Sequence, residues 1–395
     1  MTDDKNWKRL VRARMARTGE RYSTARAALL TEHEAQHPPR ARHDQTFALL
    51  RLLEALDLAD GIDEAWLLGL GGGVSVQAHA FSWTGADPTL YLGTRANPQY
   101  AYTADFLERA VRGLGHTPEV FETGGRRAAE KQLVEALSEG PVIAWVGREA
   151  LLDVPERAGA TPWVALVRDL DEESDVAAVL DVDAGAIELP LDRLLDARAR
   201  LKKGRNRLLR LRPGSAPPPD AVSRALTHCL EDLRGEHPAG GPAANYGIGA
   251  LELFADRMSQ GGKRGWRDTF AAGRPFLAGA ADAWRWVEGV TGGGGFRDLY
   301  ADFLDRAERP EAARAYRALA RQWTGMVEAL LDPAVPLLVE LRAALVAAPN
   351  DSVAPLLARA DEVPPAWFEA ALERRISDLR EIAHLEREAA ALLSP

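Results

Sequence analysis

Residues 141–183 read PVIAWVGREALLDVPERAGATPWVALVRDLDEESDVAAVLDVD. Three runs within them, PVIAWV (141–146), PWVALVRDL (162–170) and DVAAVLDVD (175–183), are rich in Val, Leu and aromatic residues and are set apart by turn-forming segments. That texture predicts three strands. Parallel neighbours need a crossover helix between them, and no helical pattern intervenes here, so the run predicts antiparallel pairing. The fold class expected is α+β rather than doubly wound.

Upstream, QTFALLRLLEAL (45–56) places apolar residues at three- and four-residue spacing and predicts a helix. TADFLERAVRGLG (103–115) predicts another, stopped by Gly113 and Gly115. TPEVFET (117–123) predicts a short strand, and RRAAEKQLVEALSEG (126–140) a helix ending at Gly140. Downstream, PLDRLLDARARLKKG (190–204) predicts a helix and NRLLRLR (206–212) a further strand. The segment RPGSAPPPDAVS follows, and its prolines fix an extended, helix-incompatible backbone. Beyond it the pattern is helical throughout, with Asp220 expected to cap the helix from Ala221 and Asn245 the helix that includes Ile248. The organisation expected is a basic helical extension (1–42), an α+β domain (43–212), a Pro-rich linker (213–219) and an all-α domain (220–395).

Composition narrows the function classes. The chain has 395 residues, is 46% hydrophobic and 27% charged, and carries 49 Lys+Arg against 58 Asp+Glu, a net charge of −9. This is a globular balance, and an acidic one, which excludes a surface built to coat nucleic acid. A single cysteine, Cys229, excludes an intrachain disulfide and a multi-thiolate zinc site. The eight histidines form no compact metal pattern, so neither metal nor cofactor is expected. The first thirty residues lack the apolar core of a signal peptide, and no apolar run reaches the ~18 residues a membrane span needs. A cytoplasmic protein with no membrane partner is expected.

Two glycine runs invite a binding reading. In LLGLGGGVSVQAHAF (67–81), Gly71, Gly72 and Gly73 could let backbone approach a ligand, but the spacing fits neither a P-loop nor a dinucleotide fingerprint. A close-packed loop or a site wall is the reading that remains. In TGGGGFRDLY (291–300), a helix connection is the plain reading, with Arg297 as a candidate anion ligand. His79 is a candidate pocket-wall or acid–base residue, and Phe81, Trp83, Trp145 and Trp163 are candidates for an organic pocket or for core.

Several pieces, in order, resemble the butirosin-H-type acyltransferase family: RHDQTFALLRLLEALDL (42–58), LLGLGGGVS (67–75), GGRRAAEKQLVEALSEGPVIAWV (124–146), PWVALVRDLDEESDVAAVLDVD (162–183) and LPLDRLLDAR (189–198). YGIGALELFADRM, TGGGGFRDLYADFLDRA and YRALARQW resemble the helical domain that usually follows. The resemblance implies a papain-like first domain, and a founding activity that moves an aminoacyl group from a carrier protein to an amine. It places the family's cysteine nucleophile at Asp44, its histidine at or near Trp163, and its acidic third member at Asp181 or Asp183. The thiol and the imidazole are thus both replaced, and a Cys–His mechanism cannot operate. What the resemblance leaves is a helix start at His43, Asp44 and Gln45, with Asp44 as base or cation anchor, or a simple cap, and Gln45 as oxyanion donor. Two readings follow. One is an acyl-transfer, condensation or cyclisation enzyme without a thiol. The other is a non-catalytic relative that binds a carrier protein or peptide for a partner enzyme. The expected partner is a small molecule or a carrier- or peptide-borne substrate, and a homodimer is compatible with the sequence.

Overall fold

The computed structural model describes residues 14–15, 43–81, 88–95, 103–153, 161–171, 173–182, 184–214, 216–238, 242–347 and 352–394. The expected extension 1–42 lies outside the described residues except for Arg14 and Met15, which are helical; Trp83 and Asp183 lie outside as well. The chain is α+β and forms two compact units. The first comprises residues up to Leu58 and Glu119–Arg210, the second Ala59–Pro118 and Leu211–Pro395.

Among the described residues there are eight strands: β1 (Val76–Phe81), β2 (Thr89–Thr94), β3 (Thr117–Phe121), β4 (Val142–Gly147), β5 (Pro162–Asp171), β6 (Val176–Asp181), β7 (Gly185–Pro190) and β8 (Leu208–Arg212). Six form one sheet in the order β3-β8-β4-β5-β6-β7. β4 to β7 run as an antiparallel meander, with Trp145 opposite Val164, Leu166 opposite Leu180 and Asp181 opposite Gly185. β7 was not expected. Its residues are mostly half-exposed, as suits an edge strand, so the apolar run that marked the inner strands is missing.

β4 is buried at every position, which is why it reads as an unbroken apolar run rather than an alternation. Val142, Ala144 and Val146 join Trp163, Ala165 and Val167 of β5 in one cluster, with Leu133 and Leu194 from the helices Arg126–Glu139 and Leu191–Arg200. The helix Asp44–Ala55 also packs on β4, β5 and β6, and its Leu49, Leu52 and Leu53 are fully buried outside that cluster.

In the second unit β1 and β2 pair antiparallel, with His79 opposite Tyr91. The helices Gly273–Trp284, Arg297–Arg306, Pro310–Ala329 and Pro365–Ala391 supply most of the rest, and residues 220–395 contain no named strand among the described residues. A boundary at the 213–219 linker was expected, whereas the chain passes between units at 58/59, 118/119 and 210/211. The physical reason is packing. The helix Glu64–Leu70 lies on Arg297–Arg306 and Ala221–Leu233, and β2 lies on Gly273–Trp284, so residues 59–118 bury their apolar faces against C-terminal helices. Proline content marks covalent stiffness, not which faces meet.

The helix Glu64–Leu70 begins on Asp63, whose carboxylate accepts the Trp66 amide at 2.9 Å. It ends where the Gly72 amide donates to Gly69 O (3.0 Å) and the Gly73 amide to Leu68 O (2.8 Å), a Schellman pair. Gly73 has φ +65°, and a Cβ there would stand 2.6 Å from the Tyr300 ring and 3.0 Å from Cys229 Sγ. Gly61 has φ +68° with no atom within 4 Å of such a Cβ. Gly61→Ala should therefore cost only the left-handed backbone term, about 1 kcal/mol. Gly73→Ala should add about 1–3 kcal/mol of overpacking to it. Urea unfolding of the two variants measures the difference, and equal midpoints would contradict the packing role.

Candidate functional site

Of the positions at which the resemblance places a triad, Trp163 is bonded to Asp181 and Asp44 to the backbone of the next residue, Val164, all within the first unit. His43 is the N-cap of the helix Asp44–Ala55, with extended backbone (φ −87°, ψ 113°), and its carbonyl accepts Phe47 N at 3.0 Å and Thr46 Oγ1 at 3.2 Å. Its side chain is buried and makes no capping bond. Asp44 is consequently the first helical residue and not the cap. Its Oδ2 instead accepts the amide of Val164 at 3.0 Å. That amide lies two residues outside the β5/β6 register, which begins at Leu166 opposite Leu180. A carboxylate therefore does at the end of β5 what a strand would do further along it. The helix start supplies unpaired amides and a positive dipole end that favour the charge.

Trp163 stands next to it on β5, 5% exposed, and its Nε1 donates to Asp181 Oδ2 at 2.7 Å. Asp181 is fully buried at the end of β6, and its Oδ1 accepts Ala184 N at 2.8 Å. The Arg148 guanidinium covers the indole ring at 5.0 Å. An indole N–H thus makes the bond to the acid that an imidazole N–H makes in a triad, yet it cannot accept a proton. Gln45 is buried, and its Oε1 accepts no hydrogen bond. His43 Nε2 lies 4.0 Å from Asp44 Oδ1. The sequence missed the Val164 amide and the Arg148 cover. Backbone donors carry no residue signature, and the Asp44–Val164 bond spans 120 positions.

Gly71, Gly72, Gly73, His79 and Arg297, expected as substrate-binding, all belong to the second unit. The glycine run faces the wrong way for an anion. The amides of Gly71, Gly72 and Gly73 all donate back into the preceding helix. The carbonyls of Gly72 and Gly73 accept from Arg95, at 3.3 and 3.0 Å, and Arg95 is ion-paired to buried Asp232. A Cβ on Gly71 would stand 2.4 Å from the Phe106 ring. These glycines serve close packing, and no ligand has room at their Cα faces.

Arg297 is fully buried and paired with fully buried Glu386, Nε at 2.9 Å and Nη2 at 2.6 Å from Oε1. Its Nη1 donates to Gly295 O at 2.8 Å, and its guanidinium lies over the Trp323 ring at 4.8 Å. This arginine is internal mortar and not a surface anion ligand. Cys229 is likewise buried, and burial raises its thiol to about 11. Trp145 is core, with Arg207 over its ring at 5.3 Å. The expected caps also shift. Asp220 occupies the N-cap without a side-chain capping bond and pairs with Arg224, while Gly247 caps the helix Ile248–Ser259.

Asn245 is used on His79 instead. Its amide nitrogen can only donate, so His79 Nδ1 accepts at 3.1 Å, and Nε2–H donates to Gln77 Oε1 at 3.1 Å. That arrangement holds a neutral imidazole, and burial lowers its pKa to about 4.

Fold and site together define an α+β protein in which the Trp163 indole is bonded to the buried Asp181 carboxylate and the Asp44 carboxylate to the amide of the next residue, Val164. A family model described as Domain of unknown function (DUF4872) matches residues 192–334. No curated protein matches the chain. Among the described residues no helix is long and apolar enough to cross a membrane.

Asp44→Ala leaves the Val164 amide without its acceptor and should lower stability by about 1–3 kcal/mol. Asp44→Asn keeps an acceptor oxygen and should lose less than Asp44→Ala, as read by urea unfolding. Equal losses would remove the hydrogen bond from the account. The His79 pKa is depressed below its unfolded value of 6.5, so the unfolded chain takes up the proton first as pH falls. Its contribution, at most about 3 kcal/mol, is present above pH 6.5 and is lost progressively toward pH 4. Stability against pH for His79→Gln should be flatter than wild type across that window.

Proposed function

We propose that this chain is a thiol-free, non-catalytic relative of the butirosin-H-type acyltransferases that binds a carrier-protein- or peptide-borne ligand for a partner enzyme. The observation that carries the reading is the bond from Trp163 Nε1 to buried Asp181 at the place where the resemblance puts a base. Three things support the papain-like ancestry behind it. A helix begins at the nucleophile position, that helix packs on an antiparallel strand bearing the base position, and the acid lies at the end of the next strand.

Proton-transfer chemistry requires a group that can exchange a proton at the reacting atom. Trp163 offers only a donor hydrogen, already committed to Asp181. Asp44 accepts a backbone amide through Oδ2 and is 7% exposed, which leaves its carboxylate serving the strand end more than a solvent-borne substrate. A binding role keeps the scaffold and asks nothing of these groups but shape.

The test is turnover of the purified chain with acyl-carrier thioesters and amine acceptors. No transfer above the uncatalysed rate is expected. Iodoacetamide should change neither stability nor ligand binding, because the lone thiol is buried with a raised pKa. Measurable transfer that falls by about 10²–10⁴ in Asp44→Asn, with the fold retained, would instead establish Asp44 as a base and the chain as an enzyme.

A further inference from the structure

A groove in the second unit is lined by the start of the helix Pro365–Ala391, by residues of the turn before it and by residues 271–273. It measures about 480 Å³, a volume in the range of small-molecule sites. Its walls are largely apolar. Pro365, Phe368 and Leu372 line it at the three- and four-residue spacing of one helix face, and Ala272 and Val363 are among the other lining residues. The Phe368 ring is held by edge-on contacts with Phe276 and Trp367, each at 5.5 Å.

Three charged side chains line the groove, Arg267, Asp361 and Glu369. The Arg267 guanidinium is already matched, since its Nη1 donates to Glu373 Oε1 at 2.9 Å. The carboxylates of residues 361–373 divide by position. Glu373 and Glu362 lie outside the lining, and each has an arginine: Glu373 has Arg267, and Glu362 accepts Arg359 Nε and Nη2 at 2.8 and 2.9 Å. Asp361 and Glu369, which line the groove, make no hydrogen bond or ion pair with any of the described residues. Two helix starts, at Gly273 and Pro365, bring about half a positive charge each to the same wall. Two full carboxylates outweigh them, so the balance of charge in the groove is negative.

We propose that this groove is a site for a small organic ammonium ion with an apolar body. The body lies against Phe368 and Leu372, and the ammonium is held by Asp361 and Glu369. An ammonium group has three donor hydrogens and can serve both carboxylates at once. A metal ion does not fit, because the lining offers it two carboxylates among apolar walls, and among the described residues no group of three or more His, Cys, Asp and Glu could hold one. The site is independent of the reading given to Asp44, Trp163 and Asp181, which belong to the first unit.

The experiment is calorimetric titration of the full chain with 2-phenylethylamine, at neutral pH and low salt. The comparison ligands are 2-phenylethanol, methylammonium and 3-phenylpropanoate. The amine should bind at least about fivefold more tightly than the alcohol, the ratio for a partly exposed ion pair. It should also bind more tightly than methylammonium, which has no apolar body. The double variant Asp361→Asn, Glu369→Gln should lose the preference for the amine over the alcohol. It should keep the wild-type melting temperature, since both side chains are exposed. If it does not fold, the two single variants supply the same comparison. Absence of amine binding at millimolar concentration would overturn the proposal, as would equal binding of the alcohol or of methylammonium. Tighter binding of 3-phenylpropanoate would do the same by showing that Arg267 and the helix starts set the charge of the groove. So would an undiminished preference for the amine in the variants.

Discussion

The amide of Val164 needs an acceptor, and Asp44 provides it. β5 runs four residues past its ladder with β6, and a strand end buried beside a helix start would otherwise hide an unsatisfied donor at Val164. The carboxylate closes that gap and at the same time sits on the positive end of its own helix. One hydrogen bond therefore fixes the start of the helix Asp44–Ala55 against the sheet. The neighbouring Trp163–Asp181 bond is set by the same stretch of β5. With both in place, the Asp44 carboxylate and the Trp163 indole are committed to holding the start of β5.

The same economy of polar satisfaction runs through the second unit. Arg95 ties down the carbonyls of the Gly72–Gly73 turn, Arg297 and Glu386 neutralise one another between two helices, and Asn245 with Gln77 fixes the tautomer of His79. Removing one member of such a set would leave the other buried and unpaired, a loss of about 3–5 kcal/mol for an ion pair.

The candidate site was legible in residue types but not in roles. The resemblance pointed to Asp44, to Trp163 or a near neighbour, and to Asp181 or Asp183, and in the structure Trp163 is bonded to Asp181 and Asp44 to the amide of Val164. It could not say that Asp44 would follow the cap rather than be the cap, nor that its partner would be a backbone amide. His79, Arg297 and the glycines were read as ligand-facing because their chemistry suits ligands. Each is turned instead toward the interior of the other unit, by Asn245, by Glu386 and by the Phe106 and Tyr300 rings.

By itself the sequence determined the α+β class and the antiparallel meander from three strand patterns, although its expectation of no helix between them missed the single turn Arg148–Leu152, which is too short to carry a parallel crossover. It determined the long C-terminal helices by their period, and the exclusion of an intrachain disulfide by its single cysteine. Only the tertiary structure decided that residues 59–118 join the C-terminal helices, that β7 is a strand, and which buried charges are paired. Periodicity is a local property of the chain and survives in the sequence. Hydrogen-bond partners 89 to 120 positions apart, such as Arg297 with Glu386 and Val164 with Asp44, exist only once faces have packed and water has been excluded between them.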